Sequence, residues 1–196
     1  VEAIGHQSSV ISKKDKNKFV FLTVGRLVAV KNIGLQIEAL NELRIKNQEL
    51  VIELWIVGEG PERKNLEFRI KNLGMWDNVK FFGWQEDVRK FYEQADAFLL
   101  TSNYEGWGMA VIEAASYGLP IIMTDVGCAG EMIKNGESGI IISVGDFKKL
   151  AEAMLKVMED DDLRKNLGAG ARSAIEKLPT KEETLRLYKE SWERAL

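Results

Sequence analysis

Glu105 and Glu113 bracket the stretch EGWGMAVIE, with seven residues between them and glycines at 106 and 108. A helix starting near Gly108 or Met109 would leave Glu105 in the preceding loop and set Glu113 just over one turn inside. Helical side chains lean back toward the N-terminus, so Glu113 is expected to reach the cavity that Glu105 faces. Gly106 and Gly108 would leave the first backbone N–H groups of that helix uncovered. Two carboxylate acceptors and several amide donors would then share one small volume. A bare diphosphate would be repelled there. A phosphate flanked by hydroxyl-rich groups suits the set better, with amides and cations on phosphate and carboxylates on ribose and hexose hydroxyls. A capping acid followed by a solvated helix glutamate is the plainer account. A carboxylate pair also fits acid/base hydrolysis, although neighbouring cations favour transfer.

Those cations are Arg26 and Lys31. Arg26 directly follows Gly25 at the end of an apolar run, and Lys31 is expected to open the next helix. A helix N-terminus attracts anions through unpaired N–H groups and its dipole. A cation there opposes the dipole unless an anion is bound between them. A surface Arg and Lys with no ligand is the open alternative. The turn GEGPERK at 58–64 also follows a strand and opens a helix, with Pro61 as a good first helical residue. A dinucleotide fingerprint would need a third glycine at 63, where Arg63 stands, so the NAD-type oxidoreductase reading fails on this motif. Gly58 and Gly60 still permit close backbone approach to a ligand.

The elements that must position these groups alternate regularly. Runs rich in β-branched and aromatic residues, FVFLTVG (19–25), LVIELWIVG (50–58), VKFFG (79–83), DAFLLTS (96–102), PIIMTD (120–125) and GIIISV (139–144), read as strands. They are mostly apolar rather than strictly alternating, as parallel strands covered on both faces should be. Between them, helices are expected near 31–47, 61–73, 86–94, 108–118, 127–134 and 146–160, with two more from about 161. In the first, Ile33, Ile37, Leu40 and Leu43 recur at helical spacing. The fold class is α/β, a doubly wound parallel sheet flanked by helices. Ligands of such sheets bind beyond the carboxyl ends of the strands, where the loops GRLVAVK, GEGPERK, GWQED and SNYEGWGM fall. Residues 1–17 read as a lead-in, 18–178 as one domain, and 179–196 as a C-terminal helix. That helix carries Leu185, Tyr188, Trp192 and Leu196 on one stripe. The stripe packs either on this domain or against another one.

Composition bounds the rest. The chain has 196 residues, 45% hydrophobic and 29% charged, which suits a single domain with a sizeable core. With 27 Lys and Arg against 30 Asp and Glu, a net charge of -3 gives no general attraction to nucleic acid or anionic membrane. No run approaches the ~18–20 apolar residues of a membrane span. Cys128 is the single cysteine, which excludes an internal disulfide and fits a reducing compartment. It reads as a small packing residue, and His6, the single histidine, as part of a mobile lead-in. No metal site of the His/Cys type is expected. Val1 at the start is read as a sign of a processed product or a piece of a longer chain.

EGWGMAVIEAASYGLP, with its paired glutamates, resembles the motif of retaining glycosyltransferases of family 4, the glycosyltransferases group 1. VGRLVAVKN, IVGEGPERKNLE, VKFFGWQEDVRKFYEQADAFLLTS and ESGIIISVGDFKKLAEAML match that family's order, so the resemblance covers roughly residues 18–160. It implies the Rossmann-like, nucleotide-sugar-binding C-terminal half of a GT-B enzyme. By position, Arg26 and Lys31 would hold the donor diphosphate and Glu113 the ribose hydroxyls. Glu105, with the backbone of Trp107, Gly108 and Met109, would hold the sugar, and the turn at Gly83 and Trp84 would lie by the base. The resemblance further implies transfer of a hexose with retention, no metal or other cofactor, and an acceptor brought by an N-terminal domain not seen here. The isolated chain would then be weakly active or inactive, and the full enzyme cytoplasmic or peripheral at the membrane. Two departures stand out. Lys31 is followed by Asn32 where the family has glycine, and Trp107 replaces the usual Phe. A scaffold of the same fold, or a GT-B epimerase or phosphorylase, are the rival readings. A scaffold would gain nothing from keeping all four charged residues in register, and no pyridoxal-phosphate lysine context is found.

Overall fold

Val, Ile, Leu and Phe dominate the strand segments because the inner strands of a parallel sheet are covered on both faces and leave little room for polar groups. The structure, a computed structural model, describes residues 18–46 and 51–195. The lead-in with His6 and the stripe residue Leu196 lie outside the described residues. Six strands, β1 (Lys18–Val24), β2 (Val51–Val57), β3 (Val79–Gly83), β4 (Ala97–Leu100), β5 (Ile121–Thr124) and β6 (Gly139–Ile142), form one sheet in the order β3-β2-β1-β4-β5-β6. Every pairing is parallel. This is the doubly wound order, and the chain's direction of travel reverses between β1 and β4.

The helices are α1 (Ile33–Lys46), α2 (Arg63–Leu73), α3 (Arg89–Gln94), α4 (Met109–Ser116), α5 (Phe147–Glu159), α6 (Asp161–Glu176) and α7 (Lys181–Ala195). Alternate strand residues feed two cores, because successive side chains on a strand point to opposite faces. Phe19, Phe21, Leu54, Ile56 and Leu99 pack with Ile37 and Leu40 of α1, Ile70 of α2 and Met154 of α5. Val20, Leu22, Trp55, Phe98 and Leu100 pack with Phe91 and Tyr92 of α3 and Val111 and Ala115 of α4. Helix α6 closes the edge and serves both cores through Leu167 and Ala171. Each fully buried Leu, Ile or Phe is worth about 1.5–3 kcal/mol, so two continuous cores hold the strand ends firmly in register.

Two expectations need correction, and one open alternative is decided. Residues 127–134 form turns and bridges, not a helix. Gly127 and Gly130 both take positive φ, +61° and +79°, which no continuous right-handed helix accommodates. Lys31 does not open α1 either. It ends a short 3-10 turn, Ala29–Lys31, and Asn32 follows at φ +45° before the helix begins at Ile33. Finally, the α7 stripe does not pack on this domain: Leu185, Tyr188 and Trp192 are 61%, 64% and 74% exposed.

Candidate functional site

The crevice of a doubly wound sheet opens where the strand order reverses, here between β1 and β4. The loops after these strands carry Lys31 and Glu105, and the structure joins them. The Lys31 ammonium donates to Glu105 Oε1, and the Ser102 hydroxyl donates to the same oxygen at 2.6 Å. The Glu105 side chain keeps 11% of its accessibility and that of Lys31 27%, so this ion pair faces the crevice mouth from a half-buried position.

A polar brace beneath holds the two loops together. The Thr101 hydroxyl lies 3.1 Å from the carbonyls of both Lys31 and Asn32. Buried Gln36 donates to the Thr101 hydroxyl at 2.9 Å. Asn103 N–H reaches Val30 O at 2.7 Å, and the Asn32 side chain donates to Asn103 Oδ1 at 3.1 Å. Asn32 thus serves at a left-handed position that glycine would ordinarily fill, since a short amide side chain tolerates that region. It adds a loop-to-loop hydrogen bond that glycine lacks.

Glu113 has a different anchor. It sits exposed in the second turn of α4, and its Oε2 accepts from the Tyr92 hydroxyl at 2.8 Å. Glu105 and Glu113 are therefore held by separate neighbours rather than by each other. Gly108 precedes α4 at φ +90° with no side-chain cap, so the first amides of that helix have no partner within it. Met109 is 62% exposed and Gly106 open, while Arg26 is exposed on the rim beside Gly25.

Glycines tie the remaining loops together. Gly25 N–H donates to Val57 O at 3.0 Å and Gly58 N–H to Gly83 O at 2.7 Å, so the ladder continues past the strand ends. A Cβ on Gly58 would lie 1.9 Å from Gly25 O, and one on Gly60 2.3 Å from Leu27 O. The close approach that Gly58 and Gly60 permit is thus to the neighbouring loop. Trp84, next to Gly83, is 72% exposed.

Several members of this site carry no motif of their own. Ser102, Thr101 and Gln36 act through tertiary contacts, and the small hydroxyls of LLTSN are their faint signal. Gly127 was expected within a helix. A Cβ there would come 2.9 Å from both Glu105 Cβ and Trp107 O, so its absence lets residues 127–128 close on the Glu105 loop. Cys128 N–H then donates to Trp107 O at 3.1 Å. The Cys128 thiol is buried, and burial first, with the carboxylates of Glu105 and Glu131, pushes its pKa up to about 11. It is an inert packing thiol. Among the described residues, no group of three or more His, Cys, Asp or Glu gathers as a metal site would, and no helix is long and apolar enough to cross a membrane.

Residues 6–174 match the family described as Glycosyl transferases group 1. The chain belongs to that family. Among curated group 1 relatives, it is 32% identical over 148 residues to a lipopolysaccharide core biosynthesis glycosyltransferase, LpsE, of Rhizobium meliloti, covering 76% of this chain and 42% of that protein. It is 34% identical over 143 residues to N-acetyl-alpha-D-glucosaminyl L-malate synthase of Bacillus anthracis, covering 70% of this chain and 38% of the relative. This group 1 chain thus spans about two fifths of the length of the curated relatives it matches. Among solved structures, a TarM variant of S. aureus in complex with Fondaparinux, alpha-GlcNAc-glycerol and UDP superposes with a TM-score of 0.82 at 25% identity, over 91% of this chain and 36% of that one. The first loop also settles the dinucleotide question. The fingerprint belongs after the first strand, and the residues there, GRLVAVK, hold a single glycine.

Proposed function

We propose that this group 1 chain binds a nucleoside diphosphate sugar and, together with an acceptor-binding N-terminal half, transfers the hexose with retention as a family 4 enzyme does. The observation that carries the reading is the Lys31–Glu105 pair across the reversal of the sheet. A cation and a carboxylate set side by side match a ligand with an anionic part next to a hydroxyl-bearing part. The complex of the TarM variant with UDP and alpha-GlcNAc-glycerol supports this ligand class.

In this reading the incoming donor separates the pair. A diphosphate oxygen takes Lys31, with Arg26 swinging in from the rim, and sugar hydroxyls donate to Glu105. The backbone of Trp107, Gly108 and Met109 borders the sugar, Glu113 accepts from ribose, and Gly83 and Trp84 border the base. Gly25 and Gly58 keep the two floor loops close enough for this arrangement. The bond from the anomeric carbon to the diphosphate oxygen breaks, and the acceptor hydroxyl bonds to that carbon from the same face. Its proton passes to the departing diphosphate. Lys31, Arg26 and the start of α4 stabilise the growing negative charge, so the reading asks for no metal or further cofactor. The setting is cytoplasmic, or peripheral at a membrane.

The test is the melting temperature of the chain with UDP, GDP, ADP and their sugar conjugates, beside NAD. A ligand at ~100 times its dissociation constant stabilises by about 2.7 kcal/mol. One nucleotide series should raise the melt, and Glu113→Ala should reduce the gain. A shift with NAD alone, or none at millimolar concentration, sinks the reading.

A further inference from the structure

Glu113 is an exposed side chain with three free torsions, and an exposed glutamate on a helix ordinarily sweeps many rotamers. Here its carboxylate is held by a buried, closely packed group. Tyr92 comes from α3, its ring only 2% exposed. That ring stacks on Tyr117, the residue that caps the C-terminus of α4 one turn beyond Glu113, with centroids 5.4 Å apart and planes 18° from parallel. On another side it meets Phe98 of β4 at 6.1 Å. A tyrosine so wedged has a fixed hydroxyl, and that hydroxyl donates to Glu113 Oε2 at 2.8 Å. Burial first, and then the Glu113 carboxylate, push the hydroxyl pKa upward, so it stays a donor through the physiological range.

We infer that Tyr92 is a positioning residue for donor binding: its buried hydroxyl fixes the Glu113 carboxylate in the orientation that accepts both hydroxyls of a ribose diol. A carboxylate offers about four lone-pair sites. The tyrosine takes one on Oε2, which leaves Oε1 and the outer side of Oε2 for two donors from one ligand. A ligand that meets a fixed carboxylate does not have to order it, and pre-ordering of this kind raises affinity without adding a contact. Neither α3 nor α4 could do this alone. The sheet and the second core set the hydroxyl against the carboxylate, and the Tyr92–Tyr117 stack keeps the two helices in step.

The inference rests on the reading of Glu113 as the ribose acceptor, so the experiment must separate the two. Calorimetric titrations of the chain would use whichever of UDP, GDP and ADP binds most tightly, and the 2′,3′-dideoxy form of the same nucleotide. Tyr92→Phe keeps the ring and the stack and leaves no cavity, and its melting temperature reports that the fold is intact. The wild-type chain should prefer the ribonucleotide. Tyr92→Phe should weaken ribonucleotide binding by about tenfold, equivalent to about 1.4 kcal/mol, and leave dideoxynucleotide binding unchanged. In a Glu113→Ala background the same change should have no effect on either. Equal losses for both nucleotides would mean that Tyr92 only supports the fold, and no loss for either would mean that Glu113 needs no help. Both results overturn the inference while leaving the ribose reading intact. If no nucleotide binds, or the wild-type chain does not distinguish ribose from dideoxyribose, the reading of Glu113 itself fails and the inference falls with it.

Discussion

Lys31 and Glu105 neutralise each other across the crevice, and removing either one leaves the other half-buried and unmatched. Lys31→Met should cost about 1–3 kcal/mol, the usual range for stranding a partly buried polar partner. Glu105→Gln should cost less, because its amide oxygen can still accept from both Lys31 and Ser102, whereas Lys31→Met strands a charged carboxylate. Urea unfolding of the two variants checks the order, and a Glu105→Gln variant less stable than Lys31→Met would contradict it. Cys128 makes a second residue-scale prediction. Its folded-state pKa of about 11 lies above the ordinary 9.0. Its contribution to stability is therefore complete below about pH 9 and is lost as pH rises through 11, because the unfolded thiol ionises first. Melting curves from pH 8 to 11 should fall more steeply for the native chain than for Cys128→Ala. Arg26 and Glu105 stood out in the sequence because each sits beside a glycine at the end of an apolar run, Lys31 because it follows in the same loop, and Glu113 because of its spacing from Glu105. Tyr92 and Ser102 did not, since nothing local distinguishes a tyrosine that holds a carboxylate from one that only fills a core.

The loops after β1 and β2 form one interlocked floor. Gly58 N–H continues the ladder to Gly83 O, and the missing Cβ makes room for Gly25 O. Gly58→Ala would place a methyl 1.9 Å from that carbonyl at φ +137°, so backbone must move. The expected cost is about 3 kcal/mol or more, in the range of substitutions that force backbone strain and overpacking. Gly106→Ala makes the contrast. Nothing lies within 4 Å of its would-be Cβ and its φ is not positive, so stability should stay within about 0.5 kcal/mol of wild type. Denaturant midpoints for the two variants decide the matter, and similar losses in both would mean the interlock contributes nothing special. At this scale the strands were legible through their double-faced apolar runs, and most helices through their spacing. The segment 127–134 was misread because MIKN and its neighbours carry helical composition while Gly127 and Gly130 take left-handed φ. Backbone handedness at a glycine is decided by what the chain must pass, here the Glu105 loop, and composition does not record that.

Across the whole molecule, buried apolar surface stops short of α7. Among the described residues the last fully buried side chain is Ala171 of α6, and every residue of α7 from Lys181 to Arg194 is exposed or only partly covered. A helix that contributes so little to either core should be removable without loss of the fold. The residues proposed to face the donor, from Gly25 to Glu113, all precede that boundary in the chain. The chain ending at Leu178 should therefore melt within about 2 °C of the full one, since 1 kcal/mol moves the midpoint by only 2–4 °C at this size. Its nucleotide affinity should be unchanged. The full chain, by contrast, presents Leu185, Tyr188 and Trp192 to solvent on one stripe. Apolar patches of this kind drive association, so sedimentation at rising concentration should show self-association that the shortened chain and a Trp192→Glu variant both lack. A drop of more than about 5 °C on shortening would place α7 inside the cooperative unit and move the domain boundary to the end of the chain. A small drop together with unchanged nucleotide binding would make residues 18–178 the smallest donor-binding unit. In that case the α7 stripe is spare surface with respect to folding, which leaves it available to bind something outside this domain.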